Sequence, residues 1–279
     1  MDGTVEELNG DVSEKLASRL SSIEYNSRRD LPLMSAIRNA GFISHAQLWE
    51  EMEAAEVERS RRSFNWRLQR LLQTDLVRKL PPKIPYKGAV YTISRLGLEC
   101  LEACGDGLMS LSSDSRCLMN PHQMQHYLEL AEIRRALRKS HVLKEWTGDV
   151  ELRSINCAID LPLAKDYDAI AEIEWNGNVQ RVAIEYEHNL KSADRYRDLS
   201  AALRGEDQVK LLLYLTPSVD MLYQLVGHFR DATIYIAAAL SRQFCANPMG
   251  CRLHLGGASG TKRTTLAVLL ETRTGSRSW

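Results

Sequence analysis

The chain has 279 residues, of which 44% are hydrophobic and 26% charged, and this composition excludes disordered and fibrous proteins. Lysine plus arginine equals aspartate plus glutamate at 36 each, so contact with nucleic acid would need a local concentration of charge. No apolar run reaches the about 18 residues of a membrane span, and the N-terminus is acidic and polar, so we expect a cytoplasmic protein with no membrane partner.

The first predicted domain covers residues 30–104 and follows an acidic tail and short amphipathic helix at 1–29. Hydrophobic spacing and N-cap residues define its helices, and Ser44 is the predicted cap of the second one. The predicted elements of this domain are helices near 32–40, 44–54 and 60–74, a strand at 89–93 and a helix that opens at Ser94.

Positive charge concentrates on the third helix and the hairpin after it. Between Arg59 and Lys87, nine basic residues stand against Asp75 alone. In a helix-turn-helix the second helix of the motif enters the major groove, where guanidinium groups pair with guanine edges and phosphates. We therefore expect double-stranded DNA to be contacted by Arg61, Arg62, Asn65, Arg67, Arg70, Lys83 and Lys87. The alternative is a solvated basic face on a winged helix that contacts protein.

The segment from Phe64 to Leu101 resembles the winged helix-turn-helix domains of bacterial DNA-binding proteins. The resemblance rests on an L-x-x-L-L-x-x-x-L-V spacing followed by YTISRLGLECL. It implies DNA binding without specifying the site.

A Gly-, Ser- and Asp-rich linker at 105–120 precedes the second predicted domain, 121–279. The pattern predicts an α/β (α+β) domain of order αβββαβαβ. Its predicted helices lie near 121–140, 192–204 and 219–230, and its strands near 150–157, 167–175, 179–187, 209–216 and 233–239. A further apolar strand is expected at 266–270.

The most informative segment is a predicted hairpin with Asn176-Gly177 as a type I′ turn. If Trp175 and Asn178 close the turn, Asp168 lies opposite Glu185. By the same register, Asp166 lies opposite Glu187, and the four carboxylates share one sheet face. The other face then carries a predicted core of Ala169, Ala171, Ile173, Val182 and Ile184.

Four carboxylates on one face repel each other unless their pKa values rise, basic groups approach or a cation binds. A hard divalent ion, most naturally Mg²⁺, is the simplest remedy. The alternative is an exposed acidic edge whose charges are solvated.

An acidic residue at the start of one strand, followed by E-x-K on the next, resembles the PD-(D/E)xK nuclease superfamily, whose core is a helix, three strands, a helix and a strand. The resemblance implies that Asp168 and Glu185 hold the metal. Glu187 stands where lysine is usual, so Glu187 or Lys191 would orient the attacking water. Glu132 on the preceding helix would complete the metal shell or remain a solvated helix charge.

Taken from about residue 30 to 215, the chain resembles the replication-relaxation family of plasmids and conjugative elements. The match consists of the winged helix, the helix HQMQHYLELAEIRRAL, a W-x-x-D-x-x-L-R element from Trp146 to Arg153, and the acidic hairpin. It implies DNA binding in plasmid replication or transfer, with replication or transfer proteins as partners. Metal-dependent nicking and a non-catalytic regulator or initiation factor both remain open, and a symmetric DNA site would call for a homodimer.

His122 and His126 lie one helical turn apart, with Cys117 nearby. No fourth ligand has zinc spacing, so we interpret the two histidines as capping or surface residues.

Overall fold

The computed structural model describes residues 26–81, 88–109, 111, 123–158, 163–229, 234–256 and 262–272. The chain forms two compact units, the first centred on 26–38 and 44–107 and the second on 39–43 and 123–272. The fold is mixed α+β, as predicted. Among the described helices, none is both long and apolar enough to cross a membrane.

The first unit combines helices with a three-stranded sheet of order β1-β3-β2. Its elements are α1 (Asp30–Ala40), β1 (Ile43–Ser44), α2 (His45–Ala54), α3 (Arg61–Gln73), β2 (Val77–Lys79), β3 (Val90–Ile93) and α4 (Arg95–Ala103). The predicted cap is confirmed, because Ser44 and Gln47 form a capping box at the start of α2.

Gly97 lies where α4 packs closely against the residue before β2. A Cβ atom at position 97 would lie 2.1 Å from the carbonyl oxygen of Leu76. Residue 97 must therefore be glycine for α4 to approach the start of β2.

The second unit is a seven-stranded mixed sheet of order β10-β9-β8-β7-β6-β5-β4. Its strands are β4 (Leu143–Gly148), β5 (Ala169–Trp175), β6 (Asn178–Tyr186), β7 (Leu211–Thr216), β8 (Tyr235–Leu240), β9 (Arg252–Leu255) and β10 (Lys262–Thr265). Its helices are α5 (Met124–Lys139), α6 (Asp149–Ala158), α7 (Ala193–Ala202), α8 (Val219–His228), α9 (Ser241–Ala246) and α10 (Leu266–Thr272).

The three central strands β6, β7 and β8 are parallel, and the remaining neighbours are antiparallel. On one face the sheet buries Ile170, Ala183 and Leu212 against Leu152 of α6 and Leu225 of α8. The residues predicted as the core of the opposite face are also buried, and α5 and α9 pack on that side. Helices thus cover both faces, as a sheet with parallel central strands requires.

The predicted hairpin register is confirmed over the paired residues of β5 and β6. Trp175 pairs with Asn178 and Ala169 pairs with Ile184. Asn176 and Gly177 have φ values of 50° and 77°, as a type I′ turn requires.

Two strand predictions were wrong because both segments are helical. Residues 150–157 lie in α6, where Val150 and Leu152 alternate as in a strand, but Glu151 accepts a hydrogen bond from the Gly148 N–H and favours a helix start. Residues 266–270 lie in α10, which Thr265 opens by accepting a hydrogen bond from the Val268 N–H. A short apolar run does not by itself distinguish a strand from a buried helix.

Candidate functional site

Asp168, directly before β5, and Glu185, near the end of β6, lie at the same end of this antiparallel strand pair. The backbone N–H of Asp168 donates to Oε1 of Glu185 over 3.2 Å. Oδ2 of Asp168 accepts from the backbone N–H of Tyr186 over 2.7 Å. Each acid is therefore tied to the strand that carries the other, which fixes both carboxylates in place.

Two cationic groups approach this carboxylate pair. Nζ of Lys165 lies 2.5 Å from Oε1 of Glu185, whose side chain is only 5% exposed. Nε2 of His126, on α5, lies 3.3 Å from Oδ1 of Asp168. Lys165 was not among the predicted site residues, and His126 was interpreted as a capping or surface residue, whereas the structure brings both to the acids.

The electrostatics of the pair are asymmetric. Burial and the charge of Asp168 raise the pKa of Glu185 to about 7, although Lys165 acts in the opposite direction. Burial disfavours ionised Asp168, but the hydrogen bond and charge of His126 outweigh it and hold the pKa of Asp168 below its usual value. Asp168 in turn raises the pKa of His126 against the effect of burial. Asp168 is therefore ionised at neutral pH, whereas Glu185 gains or loses its proton near neutral pH.

A third acid, Asp149, directly follows the last residue of β4 and begins α6. The last residue pairs are Gly148 with Ala169 and Ala169 with Ile184, so the next positions along the same row are Asp149, Asp168 just before β5, and Glu185 on β6. Burial raises the pKa of Asp149, and Asp168 adds to the effect. Asp149 accepts a hydrogen bond from the Tyr127 hydroxyl over 2.8 Å and pairs with Arg153. The signal for it was the W-x-x-D-x-x-L-R element, which includes Asp149 and Arg153.

Tyr214 extends the same row, since it is the register partner of Glu185 on β7. The residue is fully buried, and its hydroxyl has no hydrogen-bond partner among the described residues. Burial and the charge of Glu185 raise its pKa well above the ordinary value. A buried hydrogen-bond donor left unpaired costs free energy of folding.

The other predicted site residues are distributed differently. Glu187 is buried and pairs with Lys191, and Lys191 is close enough to Glu185 to oppose the rise in its pKa. Asp166 is exposed and accepts a hydrogen bond from Asn156, so the prediction of four carboxylates on one face was wrong.

Glu132 is not brought to the pair. Its carboxylate lies 2.5 Å from the guanidinium of Arg135, and Glu132 is six residues after His126, which is about 9 Å along α5. Glu132 is therefore removed from the predicted metal shell, and within the described residues no group of three or more His, Cys, Asp or Glu side chains is arranged to hold an ion.

Asp168 and Glu185 by themselves suit Mg²⁺. This ion commonly takes one or two protein carboxylates and completes its coordination with water and substrate phosphate. A bound cation would also offset the burial and the charge of Asp168, which together raise the pKa of Glu185. The two carboxylates are therefore of the chemical type that the predicted ion binds.

Two arginines of the predicted DNA-contacting helix, α3, form ion pairs inside the first unit. The guanidinium of Arg67 is buried between Asp30 and Glu58, at 2.8 and 2.5 Å, and Arg70 pairs with the same Asp30. Placing Arg67 and Arg70 in the groove was wrong, since their charges are neutralised inside the unit. The exposed members of the predicted set are Arg61, Arg62 and Asn65, whereas Lys83 and Lys87 lie outside the described residues.

No protein-family model matches the chain, and the comparisons with curated proteins and with solved structures yield no match either.

Proposed function

We propose that the chain is a DNA-binding protein of a plasmid or mobile element, whose second unit is a restriction-endonuclease-like domain that nicks DNA with Mg²⁺. The observation that carries this proposal is the hydrogen-bonded pair of Asp168 and Glu185, with the ammonium of Lys165 on Glu185. The supporting topology is a helix, three antiparallel strands, a helix and a parallel strand, supplied by α5, β4 to β6, α7 and β7, with α6 inserted after β4.

The first unit supports the DNA-binding part of the proposal. Its order of helix, strand, two helices, two strands and helix supports the proposal of a winged helix-turn-helix. The third of these helices, α3, contains no acidic residue and exposes Arg61 and Arg62. Phosphate contacts by these arginines would make binding strongly salt-dependent.

The acidic and basic residues of this site in the second unit would have separate roles in DNA cleavage. Mg²⁺, when bound, would lower the pKa of a water and neutralise charge on a phosphate oxygen. Asp168 and Glu185 would hold the ion, and Lys165 would take the lysine role that Glu187 lacks. Lys165 is carried by the segment before β5, and its ammonium also lies 5.5 Å from the Tyr167 ring centroid.

Nicking of supercoiled plasmid in the presence and absence of Mg²⁺ tests this proposal. The wild-type protein is expected to nick only with Mg²⁺, and Asp168→Asn and Glu185→Gln are expected to abolish nicking. Glu174→Gln, on the same hairpin but paired with Lys144, is the matched control and should retain it. Equal nicking by Asp168→Asn and wild type would refute the catalytic assignment.

A second candidate is a non-catalytic DNA-binding regulator or initiation factor, with the second unit as an assembly surface for replication or transfer proteins. It is favoured by Glu187, which occupies the usual lysine position and is already paired with Lys191. Salt-dependent DNA binding without nicking under any divalent ion would select this candidate.

A further inference from the structure

One side of α3 forms a continuous polar and aromatic strip on the surface of the first unit. The opposite side is packed inward through Phe64, Leu68 and Leu71. The exposed residues recur at spacings of one, three and four, so they share one helix face. The exposed strip consists of Arg61, Arg62, Asn65, Trp66, Gln69 and Gln73.

Trp66 is the unusual member of this strip, because its indole is 61% exposed. By contrast, Trp49 of the neighbouring helix is 8% exposed. The guanidinium carbon of Arg70 lies 5.1 Å from the Trp66 ring centroid, and Arg70 is itself held by the buried Asp30. The ring is thus oriented by a fixed cation, which reduces the conformational entropy that a contact with a partner would cost.

The charge of the strip indicates an anionic partner. No acidic residue occurs in α3, and the charges of Arg67 and Arg70 are paired internally. The exposed positive charge of α3 therefore comes from Arg62, one helical turn before Trp66, and from Arg61, whose guanidinium carbon lies 5.3 Å from the Trp49 ring centroid. Contacts of arginine with phosphate position a protein on duplex DNA, and sequence is read by separate contacts to base edges, which polar and apolar side chains both make.

We propose that Trp66 is a specificity-determining residue, which contacts the 5-methyl group of thymine in the major groove. Apolar side chains recognise that methyl group, and Asn and Gln side chains such as Asn65 and Gln69 recognise adenine. From Arg62 to Gln69 the helix advances about 10 Å, which is about three base-pair steps. This inference rests on the proposed DNA binding and assigns the source of its sequence preference.

Uracil substitution tests the contact directly, because uracil lacks only the methyl group of thymine. Duplexes enriched from a random pool by the wild-type protein would be prepared with thymine or with uracil, and their Kd values measured by fluorescence anisotropy. Wild type is expected to bind the uracil duplex about fourfold more weakly for each methyl group contacted. Trp66→Ala is expected to bind both duplexes equally.

Two control variants make the result specific. Arg62→Ala should weaken binding to both duplexes by the same factor, because it removes a phosphate contact. Tyr223→Ala removes a similarly exposed aromatic residue from α8 and should keep the wild-type uracil penalty. Circular dichroism and thermal unfolding of Trp66→Ala should match wild type, since the ring lies on the surface.

The outcomes separate this inference from the function on which it rests. If wild type shows no salt-dependent duplex binding, the proposed function fails and the inference fails with it. If wild type binds DNA but Trp66→Ala keeps the uracil penalty, the inference alone is overturned. It is also overturned if Trp66→Ala converts a dimer to a monomer in sedimentation while DNA preference is unchanged, since the ring would then be a protein contact.

Discussion

Nζ of Lys165 lies 2.5 Å from Oε1 of Glu185, so a lysine outside the E-x-K position forms an ion pair with a carboxylate that was predicted to bind the metal. The same oxygen accepts the Asp168 N–H. Lys165 and a divalent cation would therefore compete for Glu185. The Lys165 ammonium would also lie near any group that the two acids bind.

Lys165→Met should separate these two effects. Removing the ammonium eliminates repulsion of an incoming cation, so Mg²⁺ affinity should rise on the order of tenfold. Nicking should nevertheless fall, because the lysine function is lost. Isothermal titration and the plasmid assay measure the two quantities, and a variant with unchanged metal affinity would contradict this account of Lys165.

Arg67→Ala and Arg62→Ala should have opposite consequences, although both remove an arginine from α3. Loss of Arg67 leaves Glu58 and one oxygen of Asp30 buried without a cation, and should cost about 3–5 kcal/mol in the free energy of unfolding. Loss of the exposed Arg62 should change stability by less than about 0.5 kcal/mol but weaken DNA binding. Urea unfolding and anisotropy distinguish them, and equal stability of the two variants would rule out the buried role of Arg67.

His45 should make the first unit less stable in mild acid. Burial lowers its pKa from 6.5, and Arg61 and Lys79 add to the effect, although a hydrogen bond with Asn65 acts in the opposite direction. Because the unfolded state then binds the proton more readily, the contribution is present above about pH 6.5 and is lost as pH falls through the folded pKa. Unfolding of His45→Gln at pH 5.5 and 7.5 should show a weaker pH dependence than wild type, and an identical dependence would exclude His45 as the cause.

Tyr167 should anchor the segment that carries Lys165. Its hydroxyl donates to Oε2 of Glu206 over 3.0 Å, and the same carboxylate accepts the Ala164 N–H. Tyr167→Phe removes one hydrogen bond to a buried charged group and should destabilise the second unit by about 1.5–3 kcal/mol. Thermal unfolding measures this, with Tyr223→Phe on α8, whose side chain is 51% exposed, as the control. If Tyr167→Phe loses no more stability than the control, the hydrogen bond between Tyr167 and Glu206 does not anchor this segment.

Local signals made part of the site predictable. The Asn176-Gly177 turn sets the hairpin register from adjacent residues alone, so the proximity of Asp168 and Glu185 could be derived from the sequence. The caps at Ser44 and the α3 boundaries were predictable for the same reason.

Long-range pairing made the rest unpredictable. Helical spacing places Arg67 on the buried stripe of α3, three residues after Phe64 and four before Leu71. Its acidic partner Asp30 is on another helix, so no local pattern shows that the charge is paired there. Lys165 precedes β5 in an irregular segment, so neither helical nor strand periodicity indicates where its ammonium lies. Glu132 was assigned to the metal by resemblance, whereas its position on α5 pairs it with Arg135.

Titration with Mn²⁺ followed by electron paramagnetic resonance tests most directly whether Asp168 and Glu185 form one cation site. We expect one bound ion in wild type and in Glu132→Gln, and loss of that ion in Asp168→Asn and in Glu185→Gln. Undiminished binding in Asp168→Asn, or loss of binding in Glu132→Gln alone, would contradict this expectation.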